Sequence, residues 1–106
     1  MDQALGAEEL ERIHEVLAPF ESGGVRFHAL RTRQAGTRAS ISTHVLVRRA
    51  WTVQRGHDEV ERVEAALREA LPDATVFTRL EPLEGPRSYD DTQLDRPGVR
   101  ALRSPD

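Results

Sequence analysis

Five stretches of the chain carry an apolar period, and each period implies an element of secondary structure. From Glu8 to Ala18 the positions Leu10, Ile13 and Leu17 fall on one helix face, with Glu8, Glu9 and Glu11 in the first turn, where the helix dipole favours anions. Pro19, which has no amide hydrogen to donate, is expected to end that helix. After a break at Ser22, Gly23 and Gly24, the residues Val25, Phe27 and Ala29 alternate with Arg26, His28 and Leu30, the pattern of a half-buried strand. A second strand, from about Ala39 to Arg48, sets Ile41, Thr43, Val45 and Val47 on one side and Ser42, His44 and Leu46 on the other. Thr52 is placed to cap a second helix, whose stripe of Val53, Val60, Val63, Leu67 and Leu71 closes at Pro72 and Asp73; His57 lies in that stripe. Thr75 to Glu81 forms a last strand, with Val76, Thr78 and Leu80 opposite Phe77, Arg79 and Glu81. The order is αββαβ, an α+β domain over residues 1–82. Beyond Pro82, three further prolines and little apolar periodicity predict a flexible, disordered tail over residues 83–106.

The first two strands are close enough in sequence to form a hairpin, and partners in a hairpin have residue numbers that sum to a constant. A turn centred on Gly36 makes that sum 72, which pairs His28 with His44, their Cβ atoms about 5 Å apart on one face. A slip of one residue destroys the pairing.

Composition then narrows the classes of function. A length of 106 residues allows one core and not two. The absence of cysteine removes disulfides, thiolate metal clusters and cysteine nucleophiles. No run approaches the roughly 20 apolar residues of a membrane helix, and the start MDQALGAEEL is acidic, so a chain that does not itself insert into a membrane is expected. The net charge of -3 has the wrong sign for a nucleic-acid binder, although all fifteen basic residues are arginine, a bias we attribute to codon composition.

Of the four histidines, His28, His44 and His57 fall inside predicted elements, whereas His14 lies off the apolar face of the first helix and is expected to be solvated. Neutral imidazole is the commonest ligand for zinc-like ions, and two opposed strand histidines can converge on one ion. Glu81 offers a carboxylate, giving His28, His44, His57 and Glu81 as a candidate metal set. Each member has a plainer reading: half-exposed strand histidines, a hydrogen-bonded core histidine at position 57, and a strand-end carboxylate. Arg31, Arg33 and Arg38 offer a phosphate or acidic-partner site, against the simpler reading of a solvated hairpin end. Trp51 either anchors an interface or covers the hairpin. Ser40, Ser42 and Thr43 lie near His44 without an accompanying aspartate or oxyanion-hole pattern, and Gly23 and Gly24 alone make no phosphate loop, so neither catalysis nor a catalytic cofactor is expected.

The segment from Phe27 to Pro82 resembles the cytoplasmic C-terminal domain of cation diffusion facilitator transporters, the zinc, iron and manganese efflux family. The resemblance rests on His-x-Leu-Arg-Thr-Arg at 28–33, the strand containing His44, the His57 helix with Val63 and Glu64, and Glu81-Pro82; MDQAL is similar to the junction after that family's last membrane helix. It implies a metallochaperone-like domain related to the ferredoxin fold, a three-stranded sheet with two helices on one face. It further implies a two-fold homodimer formed through the sheet, a cytoplasmic location beside the transporter's own membrane domain, and a divalent metal ion near the dimer cleft, zinc ahead of iron, manganese or cobalt. The positions of His28, His44, His57 and Glu81 hold ligands in that family, with aspartate more usual at the last. Arg79 stands where members holding two ions have histidine, which predicts one ion or a weakened site, because arginine stays protonated and cannot ligate. Gly56 stands where alanine is usual and predicts a loose first helical turn. The function implied is that of a regulatory domain whose metal occupancy biases the transporter dimer. The alternatives are a free-standing metal-buffering protein and a dimerisation module that has lost its metal.

Overall fold

The computed structural model describes residues 3–83, so the expectation of a tail over 83–106 lies, apart from Leu83, outside the described residues. The elements are α1 (Ala7–Ser22), β1 (Arg26–Ala35), β2 (Arg38–Val47), α2 (Val53–Ala70) and β3 (Ala74–Pro82). They form an α+β domain with a three-stranded sheet ordered β1-β2-β3, in which β1 and β2 are antiparallel and β2 and β3 parallel. The parallel pair follows from the crossover through α2, which packs on β3 and against α1.

One core cluster, Leu5, Ile13, Leu17, Ile41, Val63, Leu67 and Val76, lies between the helices and the sheet. A second, Val25, Val45 and Val47, is covered by Trp51 and Val60. Of the two readings of Trp51, the hairpin cover is the one its packing matches, and the Arg55 guanidinium stacks 3.9 Å above its ring. The stripe of α1 is the expected one, and His14 is exposed.

Four sequence expectations are corrected. Pro19 does not end α1, which runs to Ser22 with the proline inside it. Phe20, half-buried against both clusters, holds the last turn in place, and Gly24 at φ +101° provides the exit. Val53 does not begin the stripe of α2: it is 83% exposed, and the buried positions are Gly56, Glu59, Val63 and Leu67. His57 therefore lies outside the buried stripe.

The third correction concerns the hairpin turn. The loop is Gly36-Thr37 between the partners Ala35 and Arg38, so the sum near the tip is 73 and not 72. Gly36, at φ +63°, holds the first loop position, where a type II′ turn requires a positive angle. The fourth concerns β1 itself. Between His28 and Arg31 two residues oppose the single Thr43, a β-bulge, and Ala29 takes φ +55°. The extra residue lowers the sum to 72 from there on and inverts the expected alternation, so that Leu30 turns toward the core and Ala29 toward solvent. The Thr43 hydroxyl, only 1% exposed, donates to the His28 carbonyl at 3.0 Å and fastens the bulge.

Candidate metal centre

His28 and His44 are cross-strand partners, as the bulge requires, and their rings lie edge to face with centroids 6.3 Å apart. On the other side of β2, His44 pairs with Arg79 and Leu46 with Glu81. Strand alternation puts all of these on the sheet face away from α2, because Thr78 and Leu80, their neighbours on β3, meet Glu64 and Gly56 of that helix. The Thr78 hydroxyl donates to Glu64 Oε2 at 2.5 Å, which fixes the β3–α2 register.

Glu81 Oε2 is the shared atom of the group. It lies 3.4 Å from His44 Nδ1 and 3.7 Å from Arg79 Nε. A tetrahedral ion with bonds of about 2.0–2.1 Å has ligand atoms separated by roughly 3.3–3.4 Å, so the His44–Glu81 pair already has the spacing of two ligands on one ion. The two rings are less well placed. Imidazoles sharing such an ion would have centroids roughly 5 Å apart, about 1 Å closer than the observed 6.3 Å. Two imidazole nitrogens and a carboxylate oxygen suit zinc, iron and manganese.

His57 stands apart from these three. It lies on α2 one position beyond Gly56, which is buried against Leu80, and its Nε2 is 3.2 Å from Glu61 Oε2, with the two side chains 60% and 65% exposed. Among the described residues no three histidine, aspartate or glutamate side chains of one chain are gathered to hold an ion. Glu61 is the neighbour that sequence reasoning missed. It stands four residues after His57, the spacing at which helix side chains meet, and that spacing was a signal available in the sequence.

These features define a class: a small two-layer αββαβ domain that carries nitrogen and oxygen donors on the uncovered face of its sheet. The family described as the cytoplasmic domain of cation efflux proteins matches residues 5–83, and the chain belongs to it. That family is a transporter domain and not an enzyme class. An uncharacterized transporter of Synechocystis is 52% identical over 89 residues, which are 84% of this chain and 29% of the relative. The cation-efflux pump FieF of Pectobacterium atrosepticum is 33% identical over 84 residues, 78% of this chain and 27% of that protein. The chain thus spans under a third of the length of the curated relatives it matches. Among solved structures, a zinc form of the transporter CzrB is 34% identical with a TM-score of 0.67, covering 78% of this chain and 94% of that one. The metal-bound C-terminal domain of the CzcD transporter from Thermotoga maritima, 22% identical with a TM-score of 0.63 over 77% and 99% of the two chains, shares the fold. No helix among the described residues is long and apolar enough to cross a membrane.

Proposed function

We propose that this chain is the regulatory and dimerisation domain of a divalent-cation efflux transporter, with zinc the first candidate, and that His28, His44, His57 and Glu81 are its ligands. The observation that carries the reading is the spacing of His44 Nδ1 and Glu81 Oε2 at 3.4 Å, beside the facing ring of His28. His57 is exposed and stands apart from this trio, so in the proposed assembly a second copy supplies it across a two-fold cleft. Ion binding then requires the dimer, and by reciprocity the ion favours the dimer by its differential affinity for the closed state. The relative bound in a zinc form and the 33% identical cation-efflux pump support this choice of cargo class.

Arg79 belongs to the same proposal. It cannot ligate, and it shares Glu81 Oε2 with His44, so one ion per chain is expected. Zinc titration by calorimetry, followed by sedimentation, tests both statements. The expected result is one tight ion per chain with a shift toward dimer, lost in His44→Ala and in Glu81→Gln, and a second ion in Arg79→His. Two tight ions in the unaltered chain would refute the role given to Arg79. A dimer that forms with no heat from zinc would leave a dimerisation module in which the Arg79–Glu81 pair stands in place of the ion.

A further inference from the structure

The connection from β2 into α2 carries Arg48, Arg49 and Arg55 between residues 47 and 55, and no acidic residue. All three arginines are exposed. A turn closed by the Trp51 amide on the Arg48 carbonyl at 3.0 Å brings the first two toward the start of α2, where the Arg55 guanidinium lies 3.9 Å above the half-buried Trp51 ring. Val53, 83% exposed, adds an apolar side chain in the first turn of the helix. The positive end of the α2 dipole lies at the same place. This corner of the domain is therefore basic and partly apolar in a chain whose net charge is -3.

The chain leaves β3 beside that corner. Pro82 pairs with Val47 in the parallel ladder, and the Leu83 amide donates to the Val47 carbonyl at 2.8 Å, so residues 84–106, outside the described residues, start next to Arg48. Their charge is unevenly distributed. Residues 88–95 hold Asp90, Asp91 and Asp95 with no basic residue, and Tyr89 and Leu94 among them, whereas residues 96–106 hold Arg96, Arg100 and Arg103 against the single Asp106. Seven residues separate Leu83 from Asp90, a reach of up to about 23–25 Å, which is ample for the first turn of α2. Exposed ion pairs are individually weak, but a short tether holds the second group at an effective concentration on the order of mM.

We propose that residues 88–95 dock on this corner of their own chain, the three aspartates on Arg48, Arg49 and Arg55, and Tyr89 and Leu94 beside Trp51 and Val53. The corner shares no residue with the proposed metal set, so the two readings stand or fall separately.

The test is paramagnetic broadening in the full chain with a chelator present. The sequence has no cysteine, so Thr92→Cys carries a single nitroxide label, and Trp51 is the only tryptophan, so its indole signal is unambiguous. The label is expected to broaden the Trp51 indole and the amides of residues 48–55 and to spare Gly36 and Thr37 at the far end of the hairpin. Each pair removed should lower the ratio of docked to free segment about twofold, so Asp90→Asn with Asp91→Asn, and separately Arg48→Gln with Arg49→Gln, should each weaken the broadening. The aspartate variant leaves the described domain untouched, and unchanged shifts of the core amides would show that the arginine variant folds. Broadening of Trp51 that is absent, or that is equal in the parent and the aspartate variant, would overturn the proposal, because the second result needs only the tether. Broadening seen only between copies, in a mixture of isotope-labelled and spin-labelled chains, would overturn docking within one chain.

Discussion

Replacing Ala29 by glycine should stabilise this protein, against the usual sense of an alanine-to-glycine change within a strand. Glycine in a strand costs about 0.5–1 kcal/mol because the unfolded chain gains freedom. At Ala29 the folded backbone has φ +55°, the left-handed region, where an alanine Cβ carries a penalty of roughly 1–2 kcal/mol that glycine does not. The side chain is exposed, so its removal loses little burial. The difference is a gain of about 0.5–1 kcal/mol, or roughly 2–6 °C in melting temperature for a domain of this size. Thermal unfolding followed by circular dichroism, with a chelator present and at one fixed protein concentration, measures it with metal removed and any dimer contribution held constant. Ala35→Gly is the control, since Ala35 is also exposed on β1 but has an ordinary negative φ, and it should lower the midpoint by a similar amount. If Ala29→Gly lowers the midpoint as Ala35→Gly does, the bulge is absent in solution. The pairing of His28 with His44 then loses its physical basis.

Two further outcomes test the helix that carries His57. Thr52→Ala removes the hydroxyl that accepts from the Arg55 amide at 3.0 Å and should cost about 1 kcal/mol in urea unfolding. Gly56→Ala should gain about 1 kcal/mol of helix propensity, yet its Cβ would stand 2.9 Å from Leu80 Cδ2, and displacing that leucine from its rotamer costs about 0.5–1.5 kcal/mol. The change should therefore be close to neutral alone and stabilising by about 1 kcal/mol in a Leu80→Ala background, which a double-mutant cycle resolves.

The histidine pairing shows how far the sequence could be read and why it could be read no further. Summing residue numbers about Gly36 pairs His28 with His44, and the structure contains that pair, but the turn itself is displaced by half a residue and the bulge at Ala29 restores the sum. Two departures cancel at the histidines while leaving Leu30 and Ala29 on the faces opposite to those expected. Nothing local marks the bulge, because alanine is not a left-handed residue by preference; it is held there by the Thr43 hydroxyl from another strand. The same holds for Pro19, whose local effect is outweighed by Phe20 packing against side chains distant in sequence. Strand alternation in β2 and β3 needed no such partner: it set His44 with Ser42 and Leu46 on one side of β2 and Arg79 and Glu81 with Phe77 on one side of β3, and the pairing of the two strands makes these one face. On α2, reading the stripe from Val53 instead of Gly56 counted His57 among the apolar positions, when the helix leaves it beside Glu61 in solvent.

The proposed set of ligands places Arg79 in competition with the ion for a single oxygen. Its side chain is 72% exposed and its contact with Glu81 is 3.7 Å long, so the pair is worth well under about 1 kcal/mol and yields readily to an ion that also holds His44. What does not yield is the charge: once displaced, the guanidinium stays on the same face, within reach of any second cation near Glu81. On that proposal, position 79 governs how many ions the cleft accepts more than whether it accepts one. A two-fold pairing of such faces would also bring Arg26, Arg31, Arg33 and Arg79 of β1 and β3 toward their copies, with Glu81 as the carboxylate among them. In the proposed assembly an added cation increases that positive charge, so closure on metal would be driven by coordinate bonds and not by net charge. Raising the salt concentration should then strengthen the closed dimer, the opposite of an interface held by ion pairs.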